Sequence, residues 1–171
     1  MLRLAKAFWD LALWRISPAQ LPASRFLLAL VTLAAAVLEA LGALLPPPQT
    51  ERIISRVALS VALPLAWAWS ILYLTRHRQR FLQTAIALLG VGVLAQLVLN
   101  PLSSALDVIG MDHPASIPLG LLSFAGLVWY LLACAHIWRA ALESGITLGL
   151  SISIGYLVLK VGFEQLLLAV A

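Results

Sequence analysis

The chain alternates long apolar stretches with short segments rich in proline or charge. A helix needs about 20 mostly apolar residues to cross a bilayer, and each stretch is at least that long. We therefore expect residues 25–171 to form one domain. The pattern predicts an all-α bundle of five transmembrane helices, over residues 25–45, 51–75, 81–100, 116–139 and 145–171.

Local signals set the ends of these spans. Ser24, Thr50 and Ser116 stand where a side-chain oxygen can cap the first turn of a helix. Proline lacks a backbone donor and clashes with the preceding turn, so the run Pro46–Pro48 should end the first span. For the same reason, Asn100–Pro101 should end the third span and begin a loop.

Residues 1–24 form a lead segment ahead of the first span. A helix over residues 2–16 would carry Arg3, Lys6 and Asp10 on one narrow face, with aromatic and aliphatic side chains over the remainder. This segment is too short to span, and its composition is typical of a helix lying among lipid headgroups. We predict an interfacial amphipathic helix here; the alternative is a helix docked on the other spans.

Composition places the chain in the membrane class. Hydrophobic residues make up 63% of it and charged residues only 11%, against about 25% charged in soluble domains. The pI of 9.8 does not indicate a nucleic-acid partner, because the basic residues are few and lie between apolar spans. The single cysteine, Cys134, excludes an internal disulfide. We expect no cofactor, no metal and no enzymatic activity.

The distribution of lysine and arginine predicts the orientation. Cytoplasmic segments of membrane proteins carry an excess of these residues. Five spans would place eight of them on the side of the N-terminus and two, Arg52 and Arg56, on the other side. The N-terminus is therefore predicted to be cytoplasmic and the C-terminus periplasmic. The eight are Arg3, Lys6, Arg15, Arg25, Arg76, Arg78, Arg80 and Arg139, of which Arg76, Arg78 and Arg80 are candidates for contacts with lipid headgroups.

Six polar side chains of the spans fall at a similar depth. With a rise of about 1.5 Å per residue, the alternating helix directions place them all in the half of the bilayer away from the cytoplasm. A charge in hydrocarbon costs about 2.5–3.5 kcal/mol or more, so such residues face the bundle interior and pair. We predict one buried polar network of Glu39, Arg56, Gln96, Asn100, Lys160 and Glu164.

This network has three interpretations. It can be structural, with charges that select one packing of the helices. It can line a polar cavity that serves an ion, a proton or a small solute. It can also pair with a helix of another protein. A water-accessible cavity between Glu39 and Lys160 would favour transport, whereas a dry and fully paired cluster would favour a scaffold.

Small residues recur at every fourth position in the last span, at Gly145, Gly149 and Ser153. Such a stripe lets two helices approach closely in lipid. It therefore predicts a helix-packing surface.

Other candidate sites are weaker. Asp107, Asp112 and His113 are metal-ligand types in the predicted loop, but they lack the spacing of a metal motif. Cys134 and His136 lie two residues apart and so do not share a helix face. We interpret the first group as a solvated acidic loop and His136 as hydrogen-bonded to a neighbour.

The layout resembles that of the Yip1-type five-helix membrane proteins. The resemblance rests on the five spans, the prolines Pro18 and Pro22 before the first of them, and the stretch from Trp129 to Tyr156 with its glycines. It implies a non-enzymatic membrane protein. The eukaryotic members bind small GTPases through a long N-terminal region that has no counterpart here. The alanine-rich and leucine-rich, lysine-poor composition indicates a bacterial inner membrane protein.

Together these observations predict a scaffold or accessory component that packs with membrane lipids and with itself or other membrane proteins. The alternative function is a small transporter or channel that uses the polar network.

Overall fold

The computed structural model describes residues 2–46, 53–110 and 112–170, with side chains described for residues 4–46, 53–110 and 112–166. These residues form α-helices and short turns and include no strand. Two 3-10 turns, Pro18–Gln20 and Arg78–Arg80, precede the second and fourth helices. The α-helices are α1 Leu2–Ala12, α2 Arg25–Leu44, α3 Ile53–Leu74, α4 Phe81–Ile109, α5 Ser116–Leu142 and α6 Ile146–Val170.

Five helices of the described residues, α2 to α6, are long and apolar enough to cross a membrane. Large apolar side chains such as Phe26, Leu33, Leu121 and Phe124 are exposed on their outer faces. Such a surface is larger than a monomeric soluble protein normally leaves uncovered. The predicted all-α fold with five apolar spans is thus confirmed, and it is compatible with a multi-pass membrane protein.

The ends of α2 follow the predicted signals. The Ser24 hydroxyl accepts a hydrogen bond from the Leu27 N–H at 3.4 Å and so caps the first turn. The helix ends at Leu44, directly before the proline run that begins at Pro46. Thr50, the predicted cap of the next span, lies outside the described residues.

The start of α5 differs from the prediction by one residue. Ala115 is the N-cap and Ser116 is already the first helical residue, so Ser116 is not the cap. The His113 side chain organises the preceding turn, because its Nδ1 accepts a hydrogen bond from the Ala115 N–H at 3.1 Å.

The prediction that Asn100–Pro101 ends the third span was wrong. α4 continues to its end at residue 109 with Pro101 inside it. Proline removes one hydrogen bond of the helix, but contacts from neighbouring helices can hold the segments on either side of it. Here Asn100 donates to the Leu38 carbonyl at 3.5 Å and Ser104 donates to the Pro46 carbonyl. These two bonds fasten one flank of Pro101 to α2 and the other to the segment that follows α2.

α4 is the central helix of the bundle. All of its residues from Thr84 to Val91 are buried, as expected of a helix that is apolar all round. It packs against α2, α3 and α5, while α6 packs mainly on α5 and contacts α3 over a shorter length.

The N-terminal helix α1 is docked on α4 and α5. Phe8 lies over Gly90, at a point where any larger residue would overlap its ring. Leu11 is fully buried, and Trp129 of α5 donates from its indole N–H to the Ala12 carbonyl at 3.1 Å. The helix ends at Ala12 and does not continue to residue 16 as predicted. Docking was the alternative interpretation of this segment, and the interfacial position stays a prediction.

The segment after α1 is fastened by two further side chains of the bundle. His136 Nε2 lies 3.3 Å from the Ile16 carbonyl oxygen, and the Gln83 amide donates to the carbonyls of Ala19 and Leu21 at 3.3 Å. The expected hydrogen bond of His136 to a neighbour is thus present.

The small-residue stripe of α6 is used within the chain. Gly149 lies directly against the backbone of α5, where a Cβ would overlap the Ala135 carbonyl and approach the Arg139 nitrogen to 3.2 Å. Ser153 is buried and donates to the Gly149 carbonyl at 2.9 Å. Gly145 is exposed and takes no part in this close approach.

We expect Gly149→Ala to destabilise the protein by about 1–3 kcal/mol, because the added methyl group must separate two packed backbones. Gly162→Ala on the same helix is the matched control, since no atom lies within 4 Å of its would-be Cβ. The measurement is unfolding of the purified protein in detergent. Equal stability of the two variants would show that the approach of α5 to α6 tolerates a side chain.

Candidate functional site

Glu39 of α2 is the most deeply buried charge among the described side chains that the sequence singled out. Its residue surface is only 6% exposed. One carboxylate oxygen accepts from Arg56 of α3, with Nε at 3.1 Å and Nη2 at 3.0 Å, and the other accepts from the Gln96 amide of α4 at 3.0 Å. Both oxygens are therefore occupied, which is the condition under which a charge persists in a low-dielectric interior.

Asn100 lies one helical turn beyond Gln96 and strengthens the junction of α2 with α4. Its amide reaches the Leu38 carbonyl at 3.5 Å. Gly42 makes room for this side chain, because a Cβ at that position would overlap the Asn100 amide nitrogen.

Lys160 and Glu164 of α6 form a second and looser pair. Their charged atoms are 3.6 Å apart, and the side chains are 35% and 45% exposed. This separation is too long for a good hydrogen bond. Lys160 and Glu164 therefore retain hydrogen-bonding capacity, whereas both carboxylate oxygens of Glu39 are already occupied.

The two pairs line one cavity of about 230 Å³ that all five long helices enclose. A water molecule needs roughly 10–15 Å³ of such space and polar partners, so the cavity has room for roughly ten or more waters. Its polar lining residues are Glu39, Arg56, Ser60, Gln96, Asn100, Ser103, Tyr130, Tyr156, Lys160 and Glu164. All six residues of the predicted network line this single space. They do not form one buried network, however, because Lys160 and Glu164 are partly exposed and pair with each other rather than with Glu39 or Arg56.

A second polar cavity of about 110 Å³ adjoins the first one. Arg56, Asn100 and Ser103 line both of them, and Asp107 lies at the wall of the second. Sequence reasoning missed Ser103 in this role and assigned Asp107 to a loop. The signal was present, because residues 96, 100, 103 and 107 fall on one helix face once α4 continues through Pro101.

A third and smaller cavity of about 20 Å³ adjoins the other end of the main one. Four residues line both cavities, namely Pro64, Leu88, Tyr130 and Tyr156. We refer to them as the constriction, because the cavity volume falls from about 230 Å³ on one side of them to about 20 Å³ on the other. Beyond the constriction the walls are mostly apolar and include Trp67 and Cys134. The three cavities therefore follow one another along the bundle.

The predicted loop residues do not converge. Among the described residues no group of three His, Cys, Asp or Glu side chains is placed to hold a metal ion. Asp107 lies on α4 at the second cavity, whereas Asp112 is exposed in the turn and His113 supports the start of α5.

The three arginines after α3 have different environments. Arg76 is exposed, and Arg78 lies over the Tyr73 ring with 3.7 Å between the guanidinium carbon and the ring centre. Arg80 donates to the carbonyls of Ala140 and Ala141 at 3.1 Å, at the end of α5. Lipid contact stays a prediction for all three, but Arg80 also holds helices together.

Arg80 also pairs with Glu143, which follows α5. The hydrogen bond and the charge of Arg80 hold the pKa of the Glu143 carboxyl below its usual range. A lowered folded-state pKa means that this contact stabilises the fold above the normal carboxyl pKa and is lost as pH falls through the lowered value.

Comparison of the chain with protein-family models, with curated proteins and with solved structures found no match. The class of the protein therefore rests on its own architecture: a bundle with five apolar helices that are long enough to cross a membrane, arranged around a charged cavity.

We expect Arg56→Gln to destabilise the fold by about 3–5 kcal/mol, because it leaves the buried Glu39 charge without its cation. The double variant Glu39→Gln, Arg56→Gln should recover most of this loss. Arg76→Gln, at an exposed position, serves as the control. The measurement is unfolding in detergent, and simple additivity of the two single variants would contradict the coupling.

Proposed function

We propose that the protein is a non-enzymatic multi-pass membrane protein that admits a small polar solute to its central cavity, as a small transporter or channel. The observation that carries the proposal is the cavity of about 230 Å³ between Glu39 and Lys160. Two acids and two bases line it, and polar residues at membrane depth typically mark the pathways of ions and solutes. A dry and fully paired cluster would favour a structural network instead.

The order of the cavities supports a route through the bundle. Asp107 and Ser103 lie toward one end, and Tyr130 and Tyr156 narrow the space toward the other. Passage requires the constriction to widen. Pro64 lies inside α3 at this point, and a proline that interrupts a helix is a common site of bending.

The scaffold or accessory role remains the competing proposal. The half-exposed pair of Lys160 and Glu164 favours it, because a helix of another protein could cover these charges. The small-residue stripe of α6 gives less support to a scaffold role, since Gly149 and Ser153 already pack within the chain.

Location and kinship are further parts of the proposal. The excess of arginine and lysine around α1 and the α3–α4 connection supports a cytoplasmic N-terminus and a periplasmic C-terminus. The alanine-rich and leucine-rich, lysine-poor composition supports a bacterial inner membrane protein. The likeness to Yip1-type proteins is one of layout, and we propose no GTPase partner.

Cysteine accessibility tests whether the cavity holds water. In a Cys134→Ser background, Ser103→Cys and Ser60→Cys should react with a charged, membrane-impermeant methanethiosulfonate added from the periplasmic side, because a thiol must ionise in water to react. Labelling is measured by mass shift. The control is Val158→Cys, which is exposed on an outer face of α6 and should remain unreactive.

Unreactive cysteines at both cavity positions would contradict a hydrated cavity and favour the scaffold. Labelling from the cytoplasmic side alone would contradict the predicted orientation.

Solute flux tests the function itself. Proteoliposomes with the purified protein should re-swell, after an osmotic shift with glycine, glycerol or sodium chloride, faster than empty liposomes for at least one solute. Lys160→Ala should abolish this flux because it leaves Glu164 unpaired in the cavity. Leu121→Ala, on an exposed face of α5, should retain it.

Re-swelling is followed by light scattering, and each variant is first checked for folding by its elution from a sizing column. No flux for any solute, combined with a stable complex that co-purifies in mild detergent, would favour the accessory role.

A further inference from the structure

The two charge pairs of the cavity differ in what they can still bind. Glu39 has both oxygens occupied and is almost fully buried. Lys160 and Glu164 lie 3.6 Å apart, are about half exposed and line the cavity. An incoming solute can therefore reach this second pair without breaking the first one.

The charge balance of the cavity selects among solutes. Its two acids and two bases cancel, and a solute with net charge would leave one charge uncompensated in a low-dielectric bundle. An uncharged solute avoids that cost but cannot replace the attraction between Lys160 and Glu164 when it separates them. A zwitterion leaves no charge uncompensated and also replaces the attraction between Lys160 and Glu164, because it offers an anion to the lysine and a cation to the glutamate.

The side chain of Gln96 narrows the class of solute further. The Gln96 amide nitrogen binds Glu39, which leaves its oxygen Oε1 buried without a hydrogen-bond partner. A buried acceptor that lacks a donor costs about 1–3 kcal/mol. Because Gln96 lines the same cavity, a rotation of its side chain would expose Oε1 to a ligand with N–H groups, which would relieve this cost, whereas a quaternary ammonium has no hydrogen to donate.

We propose that the cavity takes a small zwitterion with a primary ammonium group and a carboxylate, of the size of a small amino acid. The carboxylate binds Lys160, and the ammonium binds Glu164 and donates to Gln96 Oε1. This inference rests on the proposed function, since it names the solute class of the same site.

Binding to the purified protein in detergent tests the inference with four probes that share the alanine skeleton, by isothermal titration calorimetry. L-alanine is the zwitterion, N-acetyl-L-alanine the anion, L-alanine methyl ester the cation, and N,N,N-trimethylalanine the zwitterion without N–H groups. We expect L-alanine to bind at least tenfold more tightly than each of the other three.

Two charge variants give a readout that a structural role would not produce. Lys160→Gln leaves Glu164 alone, so the preference should change from L-alanine to the cationic methyl ester. Glu164→Gln leaves Lys160 alone, so the preference should change to the anionic N-acetyl-L-alanine. A variant that only misfolded would lose all four probes, and Lys160→Arg, which keeps the charge, should keep the preference for L-alanine.

Equal affinity for the four probes, or an unchanged order in both charge variants, would overturn the inference. If the cavity cysteines react with the reagent but no zwitterion binds, the solute class is wrong and the proposed function stands. If the cysteines do not react and no solute crosses, both the proposed function and the proposed solute class are wrong.

Discussion

The carboxylate of Glu39 needs a cation, and this need governs the architecture of the bundle. An unpaired charge in hydrocarbon is costly, and in this structure the two oxygens are satisfied by one partner from α3 and another from α4. Three helices are thereby joined at one depth. The interaction is specific in direction as well as in strength, because Arg56 donates twice to one oxygen and Gln96 donates to the other.

The same junction keeps the cavity open. Polar side chains that bond to each other across three helices hold those helices at a fixed spacing, whereas apolar side chains would close the gap. α6 completes the wall from the other side, where its close packing on α5 fixes the position of Lys160. The rigid part of the site is thus the α2–α3–α4 junction, and the adaptable part is the half-exposed pair on α6.

Sequence reasoning succeeded where one physical rule decides the outcome. Hydrophobic length determined the five long apolar helices, and the cost of burying charge pointed to six polar residues that line one cavity. It failed where tertiary contacts compete with a local rule. Pro101 should have ended a helix, but Asn100 and Ser104 fasten its flanks to α2 and to the segment that follows α2.

Two other features have no clear local signature. The docking of α1 depends on the fit of Phe8 against Gly90, and neither residue reveals this by its position in the sequence. Arg80 looks like one of several topology signals, yet its partners lie about sixty residues later in the chain. Contacts between residues so far apart in the sequence depend on how whole helices pack. A pattern of residues along the chain does not reveal this packing.

The contact of Arg80 has a consequence for the order in which the chain is assembled. Ribosomes make Arg80 before Ala140 and Ala141, so the acceptors of this guanidinium do not exist until α5 has been synthesised. Until then, the charge acts only to retain the α3–α4 connection on its side of the membrane. Once α5 has been synthesised, Arg80 can donate to the carbonyls in its last turn. The same side chain thus takes part first in insertion and then in the final assembly of the helices.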